Sequence, residues 1–138
     1  MITREQKQLV QTSWAMVQPI RDAAAGLFYE ALFHRDPSLR ALFPPDLEDQ
    51  KRKLMTAVNA AVASLDDLDR LGPVLAEMGR RHVAYGVEDR HYDTVGAALL
   101  WTLEKGLGPA WAPEVEAAWE AVYALIADTM KAGAAACA

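Results

Sequence analysis

His82 closes an apolar stripe. Leu71, Leu75, Met78 and His82 recur at helical spacing, so one helix face carries three apolar side chains and then an imidazole. Arg80 and Arg81 stand beside it, and Gly86 breaks the helix beyond it. An imidazole on such a face is either a metal ligand or a core histidine hydrogen-bonded to a backbone carbonyl. A single motif of this kind is more often the second. Gln50 poses a similar question: it is a polar amide one turn before Leu54 on an otherwise apolar face. By itself it reads as a boundary residue near a helix start, partly in water. Other chemistry is scarce. His34 precedes Arg35-Asp36-Pro37 at a helix end and is expected to be solvated; His91, on the opening turn of a helix beside Tyr92, is expected to be exposed. Ser13, Ser38 and Ser64 lie in no nucleophile elbow, and neither G-x-G-x-x-G nor a Walker sequence occurs. Trp14, Trp101, Trp111 and Trp119 read as packing, as does Met55. The only cysteine, Cys137, excludes an intrachain disulfide, a zinc cluster and a C-x-x-C-H attachment motif. His82 is left as the one attractive ligand, which suits a cofactor needing a single protein ligand.

The chain has 138 residues, the size of one domain, and is 52% hydrophobic and 24% charged. A chain this long buries enough surface to fold without a disulfide or metal staple. A net charge of −5 argues against nonspecific nucleic-acid binding, which needs a basic face. The lone cysteine points to a reducing compartment. Met1-Ile2-Thr3-Arg4-Glu5 is polar, and no apolar run approaches the ~18 residues of a membrane span, so a cytoplasmic protein is expected.

Thr3-Arg4-Glu5-Gln6 is a capping box, and Leu9, Val10, Ser13, Trp14 and Val17 follow as one stripe that Pro19 closes or bends. A second helix is expected over 20–34, with Ala24, Leu27, Phe28, Ala31 and Leu32 buried and Tyr29 and Phe33 beside them. Asp36-Pro37 starts a short third helix that Pro44-Pro45 ends. The next, over 46–65, carries Leu47, Gln50, Leu54, Ala57, Val58, Ala61 and Leu65 on one face. A polar connection, Asp66-Asp67-Leu68-Asp69-Arg70, leads to the His82 helix, whose start is expected at Gly72-Pro73. Glu88-Asp89 opens a further helix that Gly108-Pro109 ends. Ala112-Pro113-Glu114 opens the last, with Gly133 its expected stop and 134–138 a frayed tail. About seven helical segments and no convincing strand predict one all-α domain over residues 1–138.

In this order the pieces resemble a known family. Leu27-Phe28-Tyr29-Glu30-Ala31-Leu32-Phe33 comes first, then Pro37 with Leu42-Phe43 beyond it, then Gln50 and Leu54. Arg81-His82, Tyr85-Gly86-Val87, His91-Tyr92-Asp93-Thr94-Val95-Gly96 and Ala118-Trp119-Glu120-Ala121-Val122-Tyr123 follow. From about Thr3 to Met130 the chain resembles a single-domain bacterial globin, similar to the haem domain of flavohaemoglobins. The resemblance implies a globin fold around one noncovalent b-type haem (protoporphyrin IX iron), with His82 as the proximal iron ligand. Tyr29 and Gln50 would face the gas as hydrogen-bond donors, with Leu54 as the apolar distal wall. Phe28, Phe43, Met78, Val87, Tyr92 and Val95 would pack on the haem. Tyr92 would also stand in the second shell of the proximal histidine. Arg80, Arg81 and Lys53 are candidates for the propionates, plain solvated charge being the alternative. A distal Gln binds ferrous iron poorly, so an open sixth position is expected.

The pattern has departures. The flavohaemoglobin reductase domain does not follow the globin here. The acid that braces the proximal histidine in that family should fall near Ala134, and the only late acid is Asp128, six residues earlier on another face. The expected function is reversible dioxygen binding at a penta-coordinate ferrous haem. The alternative is nitric oxide dioxygenation with a separate reductase. A gas sensor lacks an output domain, and a cofactor-free helical module would make Tyr29, Gln50, His82 and Tyr92 coincidences. Expected ligands and partners are dioxygen, NO, CO and a separate reductase, with no nucleic acid or membrane, and a monomer or weak homodimer.

Overall fold

Thr3 starts the first helix as its sequence requires. Its hydroxyl accepts from the Gln6 N–H at 3.1 Å and its own N–H donates to the Gln6 side chain at 3.0 Å, so two otherwise orphaned donors are satisfied reciprocally. A computed structural model describes residues 2–135. Six α-helices follow one another: α1 (Arg4–Val17), α2 (Arg21–Arg35), α3 (Glu48–Ala63), α4 (Leu68–Ala84), α5 (Asp89–Leu107) and α6 (Pro113–Ala135). Single 3-10 segments at Gln18–Ile20, Pro37–Leu42 and Gly108–Ala110 turn the chain between them. Proline lies in the first turn of each, where its missing N–H costs nothing. Asp36 caps the middle one, its carboxylate accepting from the Ser38 N–H at 3.1 Å. No strand occurs among the described residues, and no described helix is long and apolar enough to cross a membrane.

The buried side chains form three clusters. Val10, Trp14, Val17, Val62, Leu65, Leu103, Trp119 and Val122 join α1, α3, α5 and α6. Phe28, Tyr29, Ala31, Leu32, Leu39 and Ala98 join α2 to α5. Leu71, Leu75, Tyr92, Ala127 and Met130 join α4, α5 and α6. The buried indoles are paired. Trp119 Nε1–H donates to Ser13 Oγ at 2.8 Å, and Trp14 Nε1–H donates to Asn59 at 3.1 Å.

Three local expectations are corrected. The His82 helix begins at Leu68, not at Gly72-Pro73, and Pro73 lies inside it. The extra turn brings Leu68 against the third cluster and buries Leu71 within it. Gly72 permits that turn, because it lacks the Cβ that would clash with the following proline ring in helical backbone. Gly133 does not stop the last helix; it is a buried position inside α6. A Cβ on Gly133 would overlap the Ala76 carbonyl, and one on Gly79 would overlap the Met130 carbonyl, so α4 and α6 cross backbone to backbone. Residues 136–138 of the expected tail, with Cys137, lie outside the described residues. The third correction is His91, which is only 4% exposed rather than solvated.

Candidate functional site

Partly buried side chains bridge the three clusters: Leu99 packs on the first and second, and Leu68 and Ile126 pack on the first and third. Between the clusters lies a cavity of about 410 Å³, lined by α2, α3, α4, α5 and α6 and by the 3-10 segment with Phe43 after it. Its wall is apolar except for a few side chains, the composition of a small-molecule site.

His82 enters the lining from the last turn of α4. Its Nδ1 lies 2.6 Å from the Met78 carbonyl oxygen one turn earlier. A carbonyl only accepts, so Nδ1 carries the proton and donates, and Nε2 keeps its lone pair. Among the described residues nothing hydrogen-bonds to Nε2. The hydrogen bond of a core histidine is therefore present, made through one nitrogen and leaving the other without such a bond. The Tyr85 ring meets His82 edge-on, with centroids 6.0 Å apart.

Tyr29 comes from α2 and is buried. Its ring packs among Phe28, Phe33 and Phe43, with centroids at 5.1, 5.9 and 5.6 Å. Burial raises the phenol above its ordinary pKa, and the neighbouring Gln50 amide acts in the opposite direction. Gln50 comes from the first turn of α3, which starts where Asp46 accepts the Glu48 N–H at 3.0 Å. One turn on, Leu54 lines the cavity with it. Phe28, Phe43, Met78, Val87, Tyr92 and Val95 all lie in the lining. Tyr92 is fixed from α6: Tyr123 Oη–H donates to its carbonyl at 2.6 Å. Burial raises the Tyr123 phenol well above its usual range and also raises Tyr92, where Asp89 adds to the effect.

The cations divide. Lys53 lines the cavity and pairs with Asp49 at 3.5 Å. Arg80 and Arg81 both pair with Glu77, Arg81 at 3.7 Å, and neither lines it. Asp128 is exposed, and the acceptor for the His82 Nδ1–H is the Met78 carbonyl.

His91 is the residue that local reading misplaced. It lines the cavity from the first turn of α5. Its Nδ1 accepts from the Glu88 N–H at 2.9 Å, which leaves the proton on Nε2; that buried N–H has no hydrogen-bond partner, the Glu88 carboxylate standing 3.9 Å away. The signal was present in the sequence. Glu88 and His91 stand at capping-box spacing, with a ring nitrogen doing the work of a Gln oxygen. Trp119, read as packing, reaches the cavity's lining from α6, as does Val122. Among the described residues no three His, Cys, Asp or Glu side chains are grouped to hold a metal ion, so any metal here relies on few protein ligands.

Comparison with known proteins fits this geometry. The Globin family model matches residues 26–130. A neuroglobin from Danio rerio is 30% identical over 146 residues, covering 96% of this chain and 92% of its own. A flavohemoprotein from Bacillus subtilis is 29% identical over 131 residues, covering 93% of this chain but 33% of that protein. The chain therefore spans about a third of the flavohemoprotein's length. Among solved structures, an engineered carbene transferase made from a candidate nitric oxide dioxygenase of Rhodothermus marinus superposes with a TM-score of 0.86. It is 28% identical and covers 98% of this chain and 94% of its own. A bacterial globin from Campylobacter jejuni shares the fold at a TM-score of 0.83 and 24% identity, with 96% of each chain covered.

Proposed function

The chain belongs to the globin family, and from that premise we propose that it is a haemoglobin binding dioxygen reversibly at a penta-coordinate ferrous b-type haem held by His82. Membership itself implies haem and, with it, the binding of a small gaseous ligand. The finer reading rests on one observation. A single apolar cavity is lined by an imidazole whose Nε2 is open, by a phenol and by an amide, each from a different helix. The residues fit the group. Haem, when bound, supplies a ferrous iron with a position for a diatomic ligand. We read residues 1–138 as one globin domain.

Each residue then has a task. His82 offers Nε2 while its Nδ1–H donates to the Met78 carbonyl, which fixes the ring's orientation. Tyr29 and Gln50 supply donors for a ligand that gathers negative charge, and Leu54 supplies an apolar wall. Phe28, Phe43, Met78, Val87, Tyr92 and Val95 line the cavity and would exclude water from a haem held there. Lys53 is the better placed of the propionate candidates, since Arg80 and Arg81 are engaged with Glu77.

Tyr29→Phe tests the distal assignment. A hydrogen bond to a charged acceptor is worth about 1.5–3 kcal/mol, so dioxygen should leave the variant roughly tenfold faster or more. Carbon monoxide, a poorer acceptor, should respond less. Flash photolysis measures both, and equal rates in variant and parent for both gases would remove Tyr29 from the distal site.

The proximal side gives a second expectation. A backbone carbonyl is a neutral acceptor, so the His82 imidazole stays neutral and donates weakly to iron. The iron–histidine stretching frequency of the ferrous unliganded protein should be low, and peroxidase turnover poor. A frequency in the high, peroxidase-like range would mean that a carboxylate has replaced Met78 as the acceptor.

The likeness to the Rhodothermus marinus protein supports a second reading, nitric oxide dioxygenation with electrons from a separate reductase. Stoichiometric conversion of NO to nitrate by the dioxygen-loaded protein, sustained when a flavin reductase is added, would favour it. Slow NO consumption under both conditions would leave dioxygen binding as the activity.

A further inference from the structure

Pro44 and Pro45 have no N–H, so the segment after Phe43 cannot anchor itself by donating hydrogen bonds. Its three successive carbonyls are instead gathered by one side chain. Arg40 Nη1 donates to the Phe43 carbonyl at 3.3 Å and to the Pro44 carbonyl at 2.8 Å, and Nη2 donates to the Pro45 carbonyl at 2.8 Å. The Phe43 N–H in turn donates to the Arg40 carbonyl at 3.2 Å. Phe43 is therefore held from both sides of its own peptide by the same residue. The guanidinium also lies 5.4 Å from the centroid of the Phe33 ring. Phe33 and Phe43 meet at 5.6 Å, and Phe43 meets Tyr29 at 5.6 Å. Arg40 makes no ion pair among the described residues, so its charge serves these carbonyls and this ring.

We propose that Arg40 is a positioning residue for the cavity: it clamps the Phe43–Pro45 turn and so fixes where the Phe43 ring stands against Tyr29. An arginine near a helix C-terminus ordinarily neutralises one loose carbonyl. Three carbonyls in a row, beyond the helix and on two different nitrogens, need the planar fork of a guanidinium. With the clamp gone, nothing on the turn's own backbone replaces it, because two of its residues cannot donate. The Phe43 ring then loses its fixed place in the lining, and Tyr29 loses the edge contact that limits where its hydroxyl can point. The effect on a bound haem and its ligand rests on the haem-pocket reading above; the clamp itself does not.

Two variants separate the contributions. Arg40→Met keeps an apolar stem near Phe33 and removes every donor. Arg40→Lys keeps the charge but has one nitrogen in place of the fork. Hydrogen exchange at the Leu42 and Phe43 amides of the protein without haem reads the turn alone. The width of the C–O stretching band of the carbon monoxide complex reads the distal pocket, and the rate of haem transfer to excess apomyoglobin reads retention. In both variants the amides should exchange about tenfold faster or more, since several charge-assisted bonds are lost. The C–O band should broaden or split, and haem should leave about tenfold faster. Wild-type behaviour of Arg40→Lys in all three measurements overturns the fork. Faster exchange in Arg40→Met with an unchanged C–O band and unchanged haem loss reduces Arg40 to a surface clamp and overturns the positioning role. A parent protein that takes up no haem refutes the pocket reading, and the clamp is then decided by the exchange rates alone.

Discussion

His82→Ala is expected to lose haem at least ~100-fold more readily than the parent, since changes to mere second-shell partners of a metal ligand already cost 10–100-fold. The argument turns on which ring nitrogens can accept a metal. His82 Nδ1 is committed to the Met78 carbonyl and Nε2 is open. His91 lines the same cavity, but its Nδ1 holds the Glu88 N–H and its Nε2 carries the remaining proton. For His91 to take over through either nitrogen, the α5 cap would have to break, because Nδ1 would either bind the metal itself or take the proton from Nε2. His34 is exposed at the end of α2 and is not in the lining. Haem transfer to excess apomyoglobin measures the loss, and the ferrous absorption spectrum reports the ligand. His82→Gly should regain a ferrous imidazole spectrum when free imidazole is added, because the cavity that held the ring remains. Haem content and a ferrous spectrum indistinguishable from the parent in His82→Ala would eliminate His82 as the ligand.

What could be read in advance follows from how local its cause is. The Thr3 capping box, the Asp36-Pro37 start and the Gly108-Pro109 stop are decided within a few residues, and each lies where the pattern puts it. The His82 stripe is also local, since it needs only a helical period. Errors arose where a distant segment decides. Glu88-Asp89-Arg90 makes the start of α5 look solvated, yet Arg90 meets Asp36 at 3.5 Å across the fold, and His91 behind it is covered. Pro73 read as a first-turn proline because nothing in its neighbourhood tells that Leu68 and Leu71 have a cluster to join. The task of Gln50 could not be judged from its helix either; it depends on Tyr29 arriving from α2. The Arg40 clamp is local in sequence and still invisible there, because side chains bonded to loop carbonyls follow no period.

Gly133 is the clearest case of a residue with two meanings, a stop signal by type and a contact by place, and Gly79 across from it gives the second large prediction. Gly79→Ala should destabilise the fold even though alanine is the better helix former. Within a helix interior the replacement gains about 1 kcal/mol from propensity alone. Against this, the new Cβ would overlap the carbonyl oxygen, carbonyl carbon and Cα of Met130. These are backbone atoms, so no rotamer change relieves the overlap, and α6 must move as a body. Overpacking of this kind costs about 1–3 kcal/mol, or more where backbone is the obstacle, and that exceeds the propensity gain. Gly26→Ala in α2 is the control, because its Cβ would meet nothing within 4 Å. That change should raise stability by roughly 0.5–1 kcal/mol. Opposite shifts of the urea midpoint in the two variants are the expected result, and equal shifts would mean that α4 and α6 are not in backbone contact. The displacement should also reach the site. Gly79 lies three residues before His82 on α4 and next to Met78, whose carbonyl orients the ring. Gly79→Ala should therefore speed haem loss as well, whereas Gly26→Ala should leave it unchanged. Destabilisation of the apoprotein without faster haem loss would separate the helix crossing from the placement of His82.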